Sequence, residues 1–172
     1  MSLESPAIPM GQQRSSAVFG IEEQIWRLDA DGDLAGGPRF NVKAKLREVG
    51  LRPTQQRMVL CWFLFGKGDR HVTAEMLCKE AMHAKFPVSL ATVYNTLHQF
   101  TEVGLLRQIA VSSAKAYFDT NNSEHHHFFI EDNDELLDIP GAGVAMGKTP
   151  TPPEGYEIDR IDVVVRLRRT FR

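Results

Sequence analysis

Cysteine is scarce. Cys61 and Cys78 are the only two in 172 residues, and neither sits in a CxxC pair. That excludes a disulfide framework and a four-cysteine zinc site, and it points to a reducing, cytoplasmic setting. No apolar run approaches the roughly 20 residues of a membrane span, so no membrane partner is expected. Met1–Met10 carries Glu4 and two prolines and has no basic segment followed by an apolar core, so it does not read as a secretory leader. HExxH and the GxSxG nucleophile elbow are both missing, which removes two common hydrolase signatures. The stretch Asp29–Pro38 begins like a calcium loop, but Phe40 stands where the twelfth-position glutamate belongs, and an EF-hand is excluded. There is no internal repeat.

What remains is an ordinary globular composition, 42% hydrophobic and 24% charged, long enough to bury a core in one or two small domains. The net charge of −2 hides an asymmetry: residues 1–38 carry −4, residues 39–120 carry +6 and residues 121–172 carry −4. A basic middle between acidic flanks is what a nucleic-acid-binding module inside an acidic protein looks like, although a solvated mixed-charge surface gives the same count.

The pattern divides the chain into an N-terminal extension (1–38), a helical unit (39–120) and a C-terminal unit (121–172). Met1–Gly20 is rich in Pro, Gly, Ser and Gln and reads as poorly ordered; Ile21–Leu28 has the spacing of a short helix. Helices are expected over Arg39–Val49, over Arg57–Phe65 after a Pro53-Thr54 start, from Thr73 to about Lys85, and from a Ser89 cap to about Val103. The second of these is almost wholly apolar and belongs at the centre of a bundle. The last separates into two faces. Leu90, Val93, Leu97 and Phe100 are inward, and Thr92, Asn95, Thr96 and Gln99 are outward. Uncharged hydrogen-bonding side chains of that kind can read base edges in a major groove, and they also serve as a plain solvent face. Gly104 ends the helix. Strands over Leu105–Val111 and Ala114–Asp119, around Ser112-Ser113, complete a winged helix-turn-helix.

Asn121–Ser123 is a hinge. Strands are then expected over His125–Ile130, Glu135–Ile139 and Tyr156–Leu167. A three-stranded sheet is thin for independent stability, so it is expected to pair with a second copy of itself. The fold class is therefore α+β, a winged helix followed by a small β-sheet dimerisation domain.

His125-His126-His127 carries the chemistry. Alternate residues of a strand share a face, so His125 and His127 point together and His126 points away. Two imidazoles on one face are half of a four-coordinate metal site. The other ligands must come from elsewhere, with Glu124, Asp119, Asp138 and a histidine of the helical unit as candidates. The lone histidines His83 and His98 read as ordinary surface or core residues.

Four segments resemble the ferric uptake regulator (Fur) family: GLRPTQQR at Gly50–Arg57, HVTAEML at His71–Leu77, SLATVYNTLHQFTEVGLL at Ser89–Leu106, and HHH at His125–His127. Within it the chain is most similar to the iron response regulator (Irr) branch, through HHH followed by FF and through LLDIP at Leu136–Pro140. The resemblance implies a metal site between the two units at His71, Asp119, His125, His127 and Asp138, holding a divalent ion such as zinc, manganese or iron. It implies haem as a further candidate ligand, held by His125, His126 and His127. A Cys-Pro haem motif is absent. No histidine follows His127, so a second site of the family is not matched. Ile130 and Asn133 stand where the family's structural zinc site has its first CxxC pair, so that site is lost.

The resemblance also assigns Arg52 to the minor groove, Arg57 to a phosphate, and Tyr94 and Asn95 to the reading helix beside Thr92, Thr96 and Gln99. Asn95 replaces an arginine frequent in the family. Asn pairs bidentately with adenine where Arg favours guanine, so a different operator is implied.

The reading that follows is a dimeric, metal- or haem-responsive DNA-binding repressor of iron homeostasis, not an enzyme, whose two reading helices address a palindromic duplex operator. Two alternatives differ in class. One is a winged helix that binds proteins and carries a structural metal. The other is a metallohydrolase built on the histidines, which would need an open coordination position.

Overall fold

The computed structural model describes residues 41–112, 115–140, 143–144 and 147–170. The N-terminal extension, with its expected helix at Ile21–Leu28, lies outside the described residues, as does Ser113 of the expected wing turn.

Four helices come first: α1 (Val42–Glu48), α2 (Gln55–Phe65), α3 (Ala74–His83) and α4 (Leu90–Glu102). Each starts at a side chain that can cap. Asn41, Thr54, Thr73 and Ser89 accept from the backbone N–H three residues on, at 2.7, 3.4, 3.2 and 3.1 Å. Each such cap contributes about 1 kcal/mol. α4 ends where Gly104 takes φ +73°, a conformation costly for a side-chain-bearing residue. That turn lets Leu105 N–H reach back to the Phe100 carbonyl at 2.8 Å and Gly104 N–H to Thr101 at 3.0 Å.

α2 is buried on nearly all sides through Val59, Leu60, Cys61, Trp62, Phe63 and Leu64. It is the centre of the main core, which also takes Leu46 of α1, Leu77 and Ala81 of α3, Val93, Leu97 and Phe100 of α4, and Phe118. Burial pushes the Cys61 thiol up to about 12, so it packs as a small apolar residue and is no nucleophile.

The wing is a three-stranded antiparallel sheet in the order β1 (His71–Val72), β3 (Ala116–Asp119), β2 (Arg107–Ala110). β1 was not expected. Two residues carry no periodicity, and only pairing with β3 defines them. A second sheet has the order β5 (Glu135–Ile139), β4 (His126–Ile130), β6 (Val164–Leu167), with β4 antiparallel to β5 and parallel to β6. A smaller core joins the two sheets: Ile109, Val111 and Tyr117 of the wing meet Phe129, Leu136 and Val164. Tyr117 Oη also donates to the Asp134 carbonyl, and Lys115 pairs with Asp134 at 2.7 Å.

Three sequence expectations need correction. Leu90 is 40% exposed, because the first residue of α4 projects past the core; Thr96 is 5% exposed and takes an inward place instead. Positions 93, 96, 97 and 100 are the helical stripe, and the Thr96 hydroxyl is satisfied by donating to the Thr92 carbonyl at 2.9 Å. The strand expected over Tyr156–Leu167 contracts to Val164–Leu167, leaving Tyr156 75% exposed. Register explains this. With His127 opposite Val164, residues 156–161 fall opposite 119–124, where the chain turns and offers no strand edge. Asn121 and Ser123 N–H groups there bond to the side chains of Asp119 and Asn121 at 2.8 and 3.0 Å.

Phe118 is fully buried where β3 enters the helical core. Phe118→Ala is expected to lower the unfolding free energy by about 3–5 kcal/mol in urea denaturation followed by circular dichroism. A loss below about 1 kcal/mol, the size of an average substitution, would place Phe118 outside the core.

Candidate metal centre and nucleic-acid face

The register of the two sheets brings distant residues to one point. His71 lies directly opposite Asp119 across the β1–β3 pair, and His127 directly opposite Asp138 across β4–β5. His125, two residues before His127, shares its face. One ligand atom from each of His71, Asp119, His125, His127 and Asp138 falls within a group 4.8 Å across. His71 Nε2 is 2.9 Å from Asp138 Oδ1 and 3.7 Å from Asp119 Oδ1. His125 Nε2 is 2.9 Å from Asp119 Oδ2, and His127 Nε2 is 3.5 Å from the same oxygen.

These approaches are not hydrogen bonds. His71 Nε2, His125 Nε2, His127 Nε2 and Asp119 Oδ2 are buried and make no bond of acceptable geometry despite their short separations. The atoms aim at a shared centre rather than at one another. Burial of this many polar atoms without partners costs several kcal/mol unless something satisfies them. Burial is the largest influence on His71 and holds its pKa below the usual histidine value, against the pull of Asp119 and Asp138. Burial raises Asp119, but the His127 side chain, the Asn121 N–H and the neighbouring imidazoles outweigh it and bring its pKa below the ordinary carboxylate value. His125 Nδ1 lies 2.9 Å from the Ser123 carbonyl, which can only accept. Nδ1 therefore carries the proton, and the Nε2 lone pair faces the centre. Imidazole lone pairs converging on a carboxylate repel it, and a divalent cation resolves the conflict. The set of three imidazoles and two carboxylates fits zinc, manganese or iron.

Arg70 fixes the strand that carries His71. Its N–H bonds to Thr120 Oγ1 at 2.8 Å, and its guanidinium reaches the Phe63 carbonyl at 3.1 Å and Glu80. The structure also places a residue that the sequence reading passed over. Arg107 is 5% exposed, shares the inward face of β2 with Ile109, and touches the loop before β4. An arginine in phase with an inward isoleucine is the signal that would have found it.

His126 sits on the opposite face of β4 and is half-buried. His125 and His127 are 6% and 0% exposed. A porphyrin needs open access to its axial imidazoles, and this arrangement gives the haem expectation no support.

The expected DNA-contacting residues lie along α4 and the start of α2. Arg52, Tyr94 and Asn95 are exposed, Thr92 is half-buried, and Thr96 is turned inward. Tyr94 donates to Glu75 at 2.7 Å. Gln99 and Arg57 are not independent. Gln99 Oε1 accepts from Arg57 Nε at 3.2 Å and Nη2 at 2.9 Å, while Arg57 Nη1 donates to the Arg52 carbonyl at 2.9 Å. The two-pronged donor fixes the Gln99 amide with its oxygen occupied and only its NH2 left to offer.

A model of the ferric uptake regulator family matches residues 48–163. The chain is 32% identical over 97 residues to the peroxide-responsive repressor PerR of Staphylococcus epidermidis, covering 56% of this chain and 63% of that one. It is 36% identical over 95 residues to the peroxide operon regulator of Bacillus subtilis, covering 55% and 64%. The matched region thus spans just under two thirds of these curated relatives. Its structure is similar to that of the ferric uptake regulator from Pseudomonas aeruginosa with manganese, with a TM-score of 0.58 at 25% identity over 77% of this chain and 100% of the other.

Filling the centre should stabilise the chain. At zinc or manganese a hundredfold above the dissociation constant, the unfolding free energy rises by about 2.7 kcal/mol. Calorimetric melting with and without a chelator measures this, and His127→Ala should remove the rise. An unchanged melting point in the unmodified chain would show that the five donors do not hold the ion.

Proposed function

The chain belongs to the ferric uptake regulator family, and from that premise we propose that it is a dimeric DNA-binding transcriptional repressor controlled by a divalent metal. The observation that carries this is the convergence of five donors, three buried, one half-buried and one (Asp138) exposed, drawn from both sheets, at a point where several have no other partner. In this reading residues 39–120 bind DNA, and residues 121–172 complete the metal site and dimerise. The location is the cytoplasm; among the described residues no helix is long and apolar enough to cross a membrane.

The roles follow from position. Exposed Asn95 and Tyr94 on α4 face the base edges, Arg52 before α2 enters a minor groove, and Gln99 offers its NH2 to a base acceptor or phosphate. His71 and Asp119 belong to the helical half, while His125, His127 and Asp138 belong to the other. A bound ion supplies the positive charge that both sets share. Ligation by both halves would bias the angle between them, and in a dimer that angle sets the separation of the two α4 helices. A full switch between inactive and active populations needs roughly 5 kcal/mol of differential binding, within reach of five donors.

Asp119, His125 and His127 are buried, only Asp138 is exposed, and five protein donors exceed the three of a catalytic site that keeps an open position. That favours regulation over the hydrolase reading. Within the family, HHHFF and LLDIP resemble the iron response regulator branch and support a role in iron homeostasis, while the two curated relatives above are peroxide regulators.

Selection of operators from a random duplex library, followed by fluorescence anisotropy, tests the proposal. Affinity should fall steeply with added salt, because Lys and Arg displace phosphate counterions. His125→Ala with His127→Ala should keep the fold and lose the metal dependence. Absence of duplex binding at low salt, with metal bound, would favour a protein-interaction module instead.

A further inference from the structure

Arg107 occupies an odd place for a charge. It pairs with Asp119 across β2 and β3, on the same row as His71, so a guanidinium is set down beside a buried carboxylate. Its ion-pair partner is nevertheless Asp162, from the segment just before β6. Arg107 Nη1 donates to the Ser123 carbonyl at 2.7 Å and lies 3.3 Å from His125 Nδ1. The same carbonyl takes the His125 Nδ1–H at 2.9 Å. Since Arg107 and His125 Nδ1 both donate, their mutual approach is not a hydrogen bond; one oxygen serves two donors. A guanidinium with 5% exposure is costly unless its contacts compensate. All of those contacts lead to the loop that aims His125 or to the segment that feeds β6.

We propose that Arg107 and Asp162 are positioning residues for the metal centre: Arg107 pins the Ser123 carbonyl that orients His125, and Asp162 holds the guanidinium away from Asp119. This rests on the metal-centre reading above. Two consequences follow. A fixed Ser123 carbonyl keeps the proton on His125 Nδ1 and the Nε2 lone pair toward the ion. A guanidinium released from Asp162 is free to pair with Asp119, where it competes with the metal as an internal cation. Asp162 thereby links the C-terminal segment to the centre.

Titration of the full chain with Co2+, followed by its visible absorption, tests this with three variants. Asp162→Asn and Arg107→Met should weaken Co2+ binding by about 10- to 100-fold, the range for outer-shell partners of metal ligands. Both should shift the Co2+ bands. Asp162 is 38% exposed at its side chain, so its variant keeps the assay informative if Arg107→Met folds poorly. Arg166→Met is the control. Arg166 also bridges the two sheets, through Glu131 and the Val111 carbonyl, but does not touch the ligand loop, so its variant should retain affinity and spectrum. In the metal-free chain, the nitrogen-15 shifts of His125 should report Nδ1–H in the unmodified protein and a mixture of tautomers in Arg107→Met. Equal losses in all three variants, or unaltered binding in Asp162→Asn and Arg107→Met, would overturn the role while leaving the centre. An unmodified chain that takes up no Co2+ would remove the centre and the role with it.

Discussion

Convergence of lone pairs on a single buried point governs this molecule. His71, Asp119, His127 and Asp138 arrive on four strands of two sheets and His125 just before β4, and the inner atoms of His71, Asp119, His125 and His127 find no proton to share. A protein core tolerates such an arrangement only when a cation completes it or when the strain is set against packing elsewhere. The donor set suits a divalent ion, and the cluster of Ile109, Val111, Tyr117, Phe129 and Leu136 clamps the two sheets beside it. The helical core, Arg70 with its partners, and the register of β1 with β3 all serve to deliver His71 and Asp119 to that point.

That clamp bears on how the two halves communicate. The distal wing packs on the second sheet rather than standing free, through Tyr117 to Asp134 and Arg166 to Val111. A change in the angle between the halves must therefore pass through the wing as well as through Asn121–Ser123. Under the proposed function α4 would receive such a change through the main core, because Val93, Leu97 and Phe100 pack in one cluster with Phe118, one residue from the candidate ligand Asp119. Wing and helix, the two elements that the proposed function sets against DNA, are thus both tied by direct packing to residues adjoining the candidate metal donors.

Much of this was legible in the sequence. The caps at Thr54, Thr73 and Ser89, the wholly apolar α2 and the Gly104 stop all follow local chemistry that needs no tertiary information. Alternation alone put His125 and His127 on one face and His126 on the other. The remaining candidate ligands followed only in part: Asp119 and Asp138 stand beside Glu124 as candidates from the residues alone, and only the family resemblance singles out His71, because β1 has two residues and is defined only by its partner. Thr96 was misplaced because its hydroxyl disguised an inward position that the helical period demands. The segment 156–161 carries strand composition but meets no strand edge among the described residues, and composition cannot say where a partner edge stops. Arg107 is hard to see in the sequence because its charge reads as part of the basic middle, and only its phase with the inward Ile109 marks it as buried.

The central claim is that these five side chains hold one ion together. X-ray absorption at the zinc edge of the full zinc-loaded chain tests it most directly. The account predicts several imidazole rings together with carboxylate oxygen in a shell at about 2.0–2.2 Å, and no sulfur at about 2.3 Å. A sulfur shell would move the ion to the cysteines, and an oxygen shell without imidazole would put it on the acidic surface; either result contradicts the account.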